Sequence, residues 1–289
     1  ADGKGNEMPL TQDEVRQLLE TAHQTMSAAR GQIRRPLNQS ARVSMVVVDT
    51  TGEILGLVIG SDAPIFGLDV AVQKARTATF FSSELAATYL VGLNRDEISD
   101  YVQRVRVFLN DPQALTGQHA FSDRAGGNLS RPYFPDGELG RPHGPLSRPI
   151  TEWSPFATGL QESLVRPEVV KHLGFVDGTS DKGAANECVG LLNEGGDIHL
   201  LGNGIQIFPG SVPIYRGSTL IGGIGVSGDG VDQDDMIAFL SVHRAGEVSG
   251  SFGNAPKEIR ADTIEVDNVR LRYISCPFNP FLDESEQEV

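Results

Sequence analysis

The alternation of apolar and polar positions marks out a series of elements. Thr11 opens a T-x-x-E with Glu14, a capping box in which each side chain satisfies the other's orphan backbone N–H. Val15, Leu18, Leu19, Ala22 and Met26 follow at helical spacing, which predicts a helix running to a stop at Gly31. The run RVSMVVVD is too continuously apolar for a half-exposed strand and predicts one buried on both faces. TTGE supplies a turn, and EILGLVIG reads as the returning strand of a hairpin. SDAPIFGLDVAVQKARTATFFSS begins with turn residues and becomes a helix. Phe66, Val70, Lys74, Thr77 and Phe81 lie along one side, and Ala71, Ala75 and Ala78 on a narrow neighbouring one that lets the helix approach a sheet closely. A further helix is expected from about Leu93 to Leu109, begun by Asn94 and Glu97 and striped by Ile98, Val102, Val105 and Leu109.

Both periods then vanish. From Asp111 to Pro167 the chain is rich in Pro and Gly, as in SRPYFPDGELGRPHGPLSRP, and predicts a long, ordered, irregular insertion wrapped over a surface. Tyr133, Phe134, Trp153 and Phe156 give it anchors. Regular structure returns in VPIY and STLIGGIGV, a hairpin closed on Arg216–Gly217, followed by a helix from about Asp232. TIEVDNVRLRYISCPFNPF predicts one more strand and a proline-rich end.

Composition narrows the classes of function. With 38 acids against 24 bases the net charge is −14, and no basic patch gathers along the chain, which argues against a nucleic-acid partner. No stretch approaches the run of about 20 apolar residues that a membrane helix requires. The opening ADGKGNEMP suits either a mature chain after signal-peptide removal or a cloning boundary. Cys188 and Cys276 could form a disulfide or remain two buried thiols, and neither sits in a C-x-x-C.

LIGGIGVSGDGVDQDD holds a G-x-G-x-x-G at Gly223, Gly225 and Gly228, the spacing of a dinucleotide turn. Such a turn needs its glycines after a strand, whereas these fall inside the apolar run Leu220 to Val226. Asp232, Asp234 and Asp235 would occupy the first helical turn and repel a pyrophosphate. The glycines are expected to allow close approach of another backbone or a flat ligand. A calcium loop is disfavoured because Val231 and Gln233 stand where ligands should, so the acids are read as helix caps.

Two segments together resemble the GlcG/HbpS-like haem-binding (haem-degrading) family. VSMVVVDTTGEILGLVIGSDAPIFGLDVAVQKARTATFF is similar to its VVD-x-x-G hairpin followed by a KART-A helix, and FPGSVPIYRGSTLIGGIGVSGDGVDQDD to its second hairpin and acidic helix start. The resemblance implies an α/β (α+β) fold, a profilin-like α/β/α sandwich with a central, mainly antiparallel sheet. It places a single domain at residues 10–245, interrupted by an insertion at 84–203 and followed by an extension at 246–289. It also implies haem as a cofactor, a small-molecule ligand and assembly into a homo-oligomer or a larger complex; the polar start and a possible disulfide would fit a periplasmic or extracellular setting.

Carried onto this sequence, the motif positions are Lys74, Arg76 and Thr77 on the helix, with Gly222, Gly225, Ser227 and Gly228 beside it. Lys74 and Arg76 are the natural partners of haem propionates, although Arg76 could equally cap a carbonyl or pair with Asp49 or Asp69. Thr77 could face the ligand or bond back to the preceding turn. The histidines at 23, 119, 143, 172, 199 and 243 form no metal-ligand spacing; His143 on the insertion and His243 after the acidic helix start are the axial candidates. The leading expectation is a haem- or tetrapyrrole-binding protein, with ligand degradation an open extension. The alternatives are a non-catalytic interaction module that uses residues 111–167 as its interface and has lost the pocket, and an enzyme acting on another small substrate.

Overall fold

The computed structural model describes residues 9–155, 158–181, 200–201 and 204–283. Helix α1 (Gln12–Ala28) carries the expected capping box at Thr11 and Glu14, but it ends before Gly31, with Ala29 already extended as its cap. Strand β1 (Ser44–Val48) is buried at all five positions and pairs antiparallel with β2 (Ile54–Ile59). Helix α2 (Phe66–Phe81) follows, then α3 (Ala86–Gly92) and α4 (Asp96–Phe108). The period-free region contains two further helices, α5 (Asp123–Leu129) and α6 (Gly159–Val176), the second carrying Pro167 within it. Strands β3 (Ser211–Arg216) and β4 (Thr219–Ser227) form the second hairpin. Helix α7 (Val231–Ser249) and the short strand β5 (Gly253–Asn254) complete the core.

The strands form one antiparallel sheet in the order β2-β1-β4-β3-β5. β1 and β4 bring the two distant hairpins together, with Val46 opposite Gly225 and Val48 opposite Gly223. The period of two in β1 explains the layers. Val46 and Val48 pack against Ala71, Val72 and Ala75 of α2, while Met45 and Val47 join the larger core shared with α1 and α7. The result is α2 on one face and α1 with α7 on the other, the α/β/α arrangement expected of this sequence.

The glycines of β4 are what let α2 lie on the sheet. A Cβ on Gly225 would stand 2.0 Å from Ala71 O and 2.5 Å from Ala75 N, and one on Gly223 would meet Thr79 Oγ1 at 2.3 Å. The pattern lies within a strand flanked by antiparallel neighbours, so it makes no nucleotide turn. The insertion packs inward: Phe121, Leu129, Phe134 and Leu146 belong to the main core, and Trp153 donates from Nε1 to Ser130 O at 3.0 Å. The tail straps α1, with Leu282 N donating to Ala28 O at 3.0 Å and Arg30 N to Pro280 O at 2.8 Å. Where one more strand was expected there is a two-residue hairpin, β6 (Glu265–Val266) with β7 (Val269–Arg270), turned on the left-handed residues Asp267 and Asn268. Phe156, Cys188 and His199, and with Cys188 the question of a disulfide, lie outside the described residues. No described helix is long and apolar enough to cross a membrane.

Candidate ligand site

A cavity of about 510 Å³ lies where α2, α6 and the β4–α7 turn converge. Phe66, Asp69, Val70, Gln73 and Lys74 reach it from one side of α2, as their three- and four-residue spacing requires. Gln161, Val165 and Val169 reach it from α6 at intervals of four; Leu160 and Leu164, on a different side of that helix, are buried in the core. Ser227, Gly228, Asp229, Val231 and Asp234 close it from the turn and the start of α7. Phe66 is 59% exposed and Ile65 beside it 90%, so the mouth is apolar.

The wall formed by residues 206–208 is fixed by α2. Gln206 N donates to Thr77 Oγ1 at 2.8 Å, and Gln206 Nε2 to Gln73 Oε1 at 2.8 Å. Gln206 Oε1 in turn accepts from the backbone N–H groups of Ile207 and Phe208. Thr77 also bonds back to Gln73 O at 2.7 Å. It therefore holds the wall and is itself wholly buried.

The floor is ionic. Lys74 is 2% exposed and donates from Nζ to Asp234 Oδ2 at 2.9 Å and to Val226 O at 3.0 Å. Asp234 Oδ1 accepts from Asp229 N at 3.3 Å. Burial pushes the Asp234 carboxyl up to about 6 even though Lys74 draws it down. Behind it Asp235, fully buried, pairs with Arg124 and accepts from Ser275 N at 2.9 Å; burial carries it to about 6 as well. Asp123 accepts from Gly210 N and Ser211 N, both at 3.0 Å, and burial lifts it well above the usual carboxylate range. The acids at the start of α7 thus do not cap it, since no side chain caps that helix; they bind Lys74 and Arg124.

Of the positions singled out in sequence, Lys74, Ser227 and Gly228 line the cavity. Arg76 instead donates from Nε to Gly52 O at 2.8 Å, fastening the β1–β2 turn. Gly222 and Gly225 meet backbone: a Cβ on Gly222 would lie 2.3 Å from Val48 O. His143 contacts Gly144 O at 2.9 Å and Arg104 at 3.4 Å, and His243 stands exposed beside Glu247. Neither lines the cavity, and among the described lining residues there is no His, Cys, Met or Tyr. Among the described residues no group of three or more His, Cys, Asp or Glu is placed to hold a metal. Sequence reasoning missed Gln73, Gln161, Gln206 and Phe208. The spacing of Gln161, Val165 and Val169 was the available signal, obscured by Pro167.

The fold is thus an α/β/α sandwich with an apolar-walled cavity over a buried lysine. The chain resembles the haem-degrading HbpS-like family, whose model matches residues 178–242. Three crystal structures show some likeness to this chain. A PduOC–haem complex is 15% identical, with a TM-score of 0.35, 86% of this chain and 100% of that chain covered. HbpS is 13% identical, with a TM-score of 0.34 and coverage of 86% and 95%. Klebsiella pneumoniae protein ORFY is 14% identical, with a TM-score of 0.31 and coverage of 83% and 94%. No curated protein matches the chain.

Proposed function

We propose that this protein binds haem or a closely related tetrapyrrole in the cavity between α2, α6 and the β4–α7 turn. The observation that carries the reading is Lys74, a cation at the floor of an apolar-walled slot of about 510 Å³. A flat, apolar ring bearing an acid needs that combination. The match to the haem-degrading family model supports it, because the matched segment includes β3, β4 and Asp234, the partner of Lys74.

The residues present fit the ring and its acid. Val70, Val165, Val169 and Phe208 offer faces for the macrocycle, and Gln161, whose buried Oε1 has no partner among the described residues, offers its side-chain amide N–H to a ligand carboxylate. When bound, haem would supply a redox-active iron. The chain's part is to hold the ring, exclude water from one face and orient the acid toward Lys74. With no imidazole among the described lining residues, the grip is on ring and carboxylate rather than on iron.

The test is titration of the purified full chain with hemin, followed in the Soret band. A saturable one-to-one shift is expected. Lys74→Met should weaken it at least tenfold, the loss of about one charge-assisted bond, and Val165→Arg should abolish it by filling the slot. A spectrum without a saturable endpoint, or one unchanged in both variants, would overturn the reading.

A further inference from the structure

Lys74 is the only Lys or Arg among the described residues that line the cavity, and its ammonium is already taken by Asp234 Oδ2 and Val226 O. A ligand carboxylate that reaches this floor must therefore compete with Asp234. That residue cannot withdraw as an anion. Its side chain is 2% exposed, and the groups around it are mostly acids. Asp229 faces it from the β4–α7 turn, and Asp235 adjoins it on α7. Asp123 on α5 lies within electrostatic reach of Lys74 and Asp235. The nearby cations are committed: Arg124 to Asp232 and Asp235, and Arg34 to Asp229 at 3.8 Å and to Asp62. An Asp234 anion deprived of Lys74 would be an unpaired buried charge among like charges, the least favourable arrangement open to it.

We propose that Asp234 is a proton-coupled gate on Lys74: a ligand carboxylate binds the ammonium only as Asp234 takes up one proton from solvent. This rests on the ligand site proposed above. The charge balances, because a lysine–aspartate pair of zero net charge becomes a lysine–ligand pair of zero net charge plus a neutral acid. Binding without the proton would leave a buried excess of one negative charge, and a phosphate dianion would bring one charge more. The gate thus favours an apolar ligand with a carboxylate over a phosphorylated one. Burial already holds the Asp234 carboxyl near 6 with Lys74 beside it, so the proton is within reach under mildly acidic conditions. Asp234 acts here through Lys74, as a positioning and selectivity residue.

The deciding measurement is the affinity of the full chain for hemin from pH 6 to 8.5, in the wild type and in Asp234→Asn, with hemin dimethyl ester as the ligand that lacks acids. For hemin, wild-type affinity should fall about tenfold more per pH unit than that of Asp234→Asn, the signature of one proton. Asp234→Asn should bind hemin the tighter at pH 8, while the ester should show no such difference. Calorimetry of the wild type in two buffers of different ionisation enthalpy should give uptake of about one proton at pH 8, and this arm stands even if the variant fails to fold. Saturable hemin binding with the same pH dependence in both proteins, or without proton uptake, overturns the gate and leaves the binding site standing. Absence of saturable hemin binding at every pH overturns the site and the gate with it.

Discussion

Gly225 and Gly92 show how differently one residue type is used in this chain. At Gly225 an added methyl would collide with the backbone of α2, 2.0 Å from Ala71 O, and a helix backbone cannot turn aside as a side chain can. Gly225→Ala should cost about 3 kcal/mol or more, at or beyond the usual range for overpacking. Gly92 ends α3 with nothing within 4 Å of its would-be Cβ, so Gly92→Ala should be stabilising by about 0.5–1 kcal/mol. Denaturant midpoints at constant slope check both, and equal effects at the two sites would contradict the close approach of α2 to the sheet. The sequence made half of this legible. Small residues on α2 and glycines in β4 announce two surfaces that come close, but no local pattern says that these two surfaces are each other's partners. Nor could the pattern tell that Gly228, which abuts backbone as Gly222 and Gly225 do, also borders the cavity.

Among the elements, α5 is attached to α7 through charge. Arg124 from this seven-residue helix reaches Asp232 and Asp235 at the start of α7 and is 8% exposed. Breaking a buried pair leaves the surviving charge uncompensated, so Arg124→Leu should cost about 3–5 kcal/mol at pH 7.5. The cost should shrink at pH 5, because Asp235, which titrates near 6 even with Arg124 beside it, then becomes neutral. Urea unfolding at the two pH values measures this, and a loss that is independent of pH would show that Arg124 contributes packing rather than charge. α1 and α2, with their 3.6 period, and α7, with its acidic start, are readable from sequence, and so is α4 once its start is moved to Asp96. α5 and α6 were not readable. One is too short to show a period; the other carries Pro167 and divides its apolar residues between the core and the cavity, which erases a single stripe. The ion pairs that join α5 to α7 span more than a hundred positions, and no spacing rule reaches that far.

Across the whole molecule, two sets of carboxylates pull stability in opposite directions with pH. Glu14 ties α1 to β3 and to the end of α7: Arg216 donates to Oε1 at 3.0 Å and to Oε2 at 3.1 Å, and Ser251 Oγ donates as well. Burial opposes its ionisation, but these bonds and those from Thr11 outweigh it and hold the carboxyl at about 2. A depressed folded value means stability that is present above the unfolded value of 4.5 and lost as pH falls toward 2. Asp234 and Asp235 behave the other way. Raised from 3.8 to about 6 by burial, they contribute stability that is fully present below 3.8 and lost as pH rises through 6, because the folded state holds the protons more tightly there. Self-repulsion at a net charge of −14 adds to the loss on the alkaline side. The midpoint of thermal unfolding should therefore pass through a maximum near pH 5 and decline toward pH 8, where many domains are level. Asp234→Asn should flatten the alkaline decline, whereas Glu14→Gln should lower the curve at pH 5 to 8 and converge on the wild type as pH approaches 2. Scanning calorimetry from pH 2 to 9 on the three proteins tests the set. A wild-type midpoint that is constant between pH 5 and 8 would mean that the buried carboxylates are fully compensated by Lys74 and Arg124, and that the floor of the cavity is an inert ion pair rather than a group poised to take a proton.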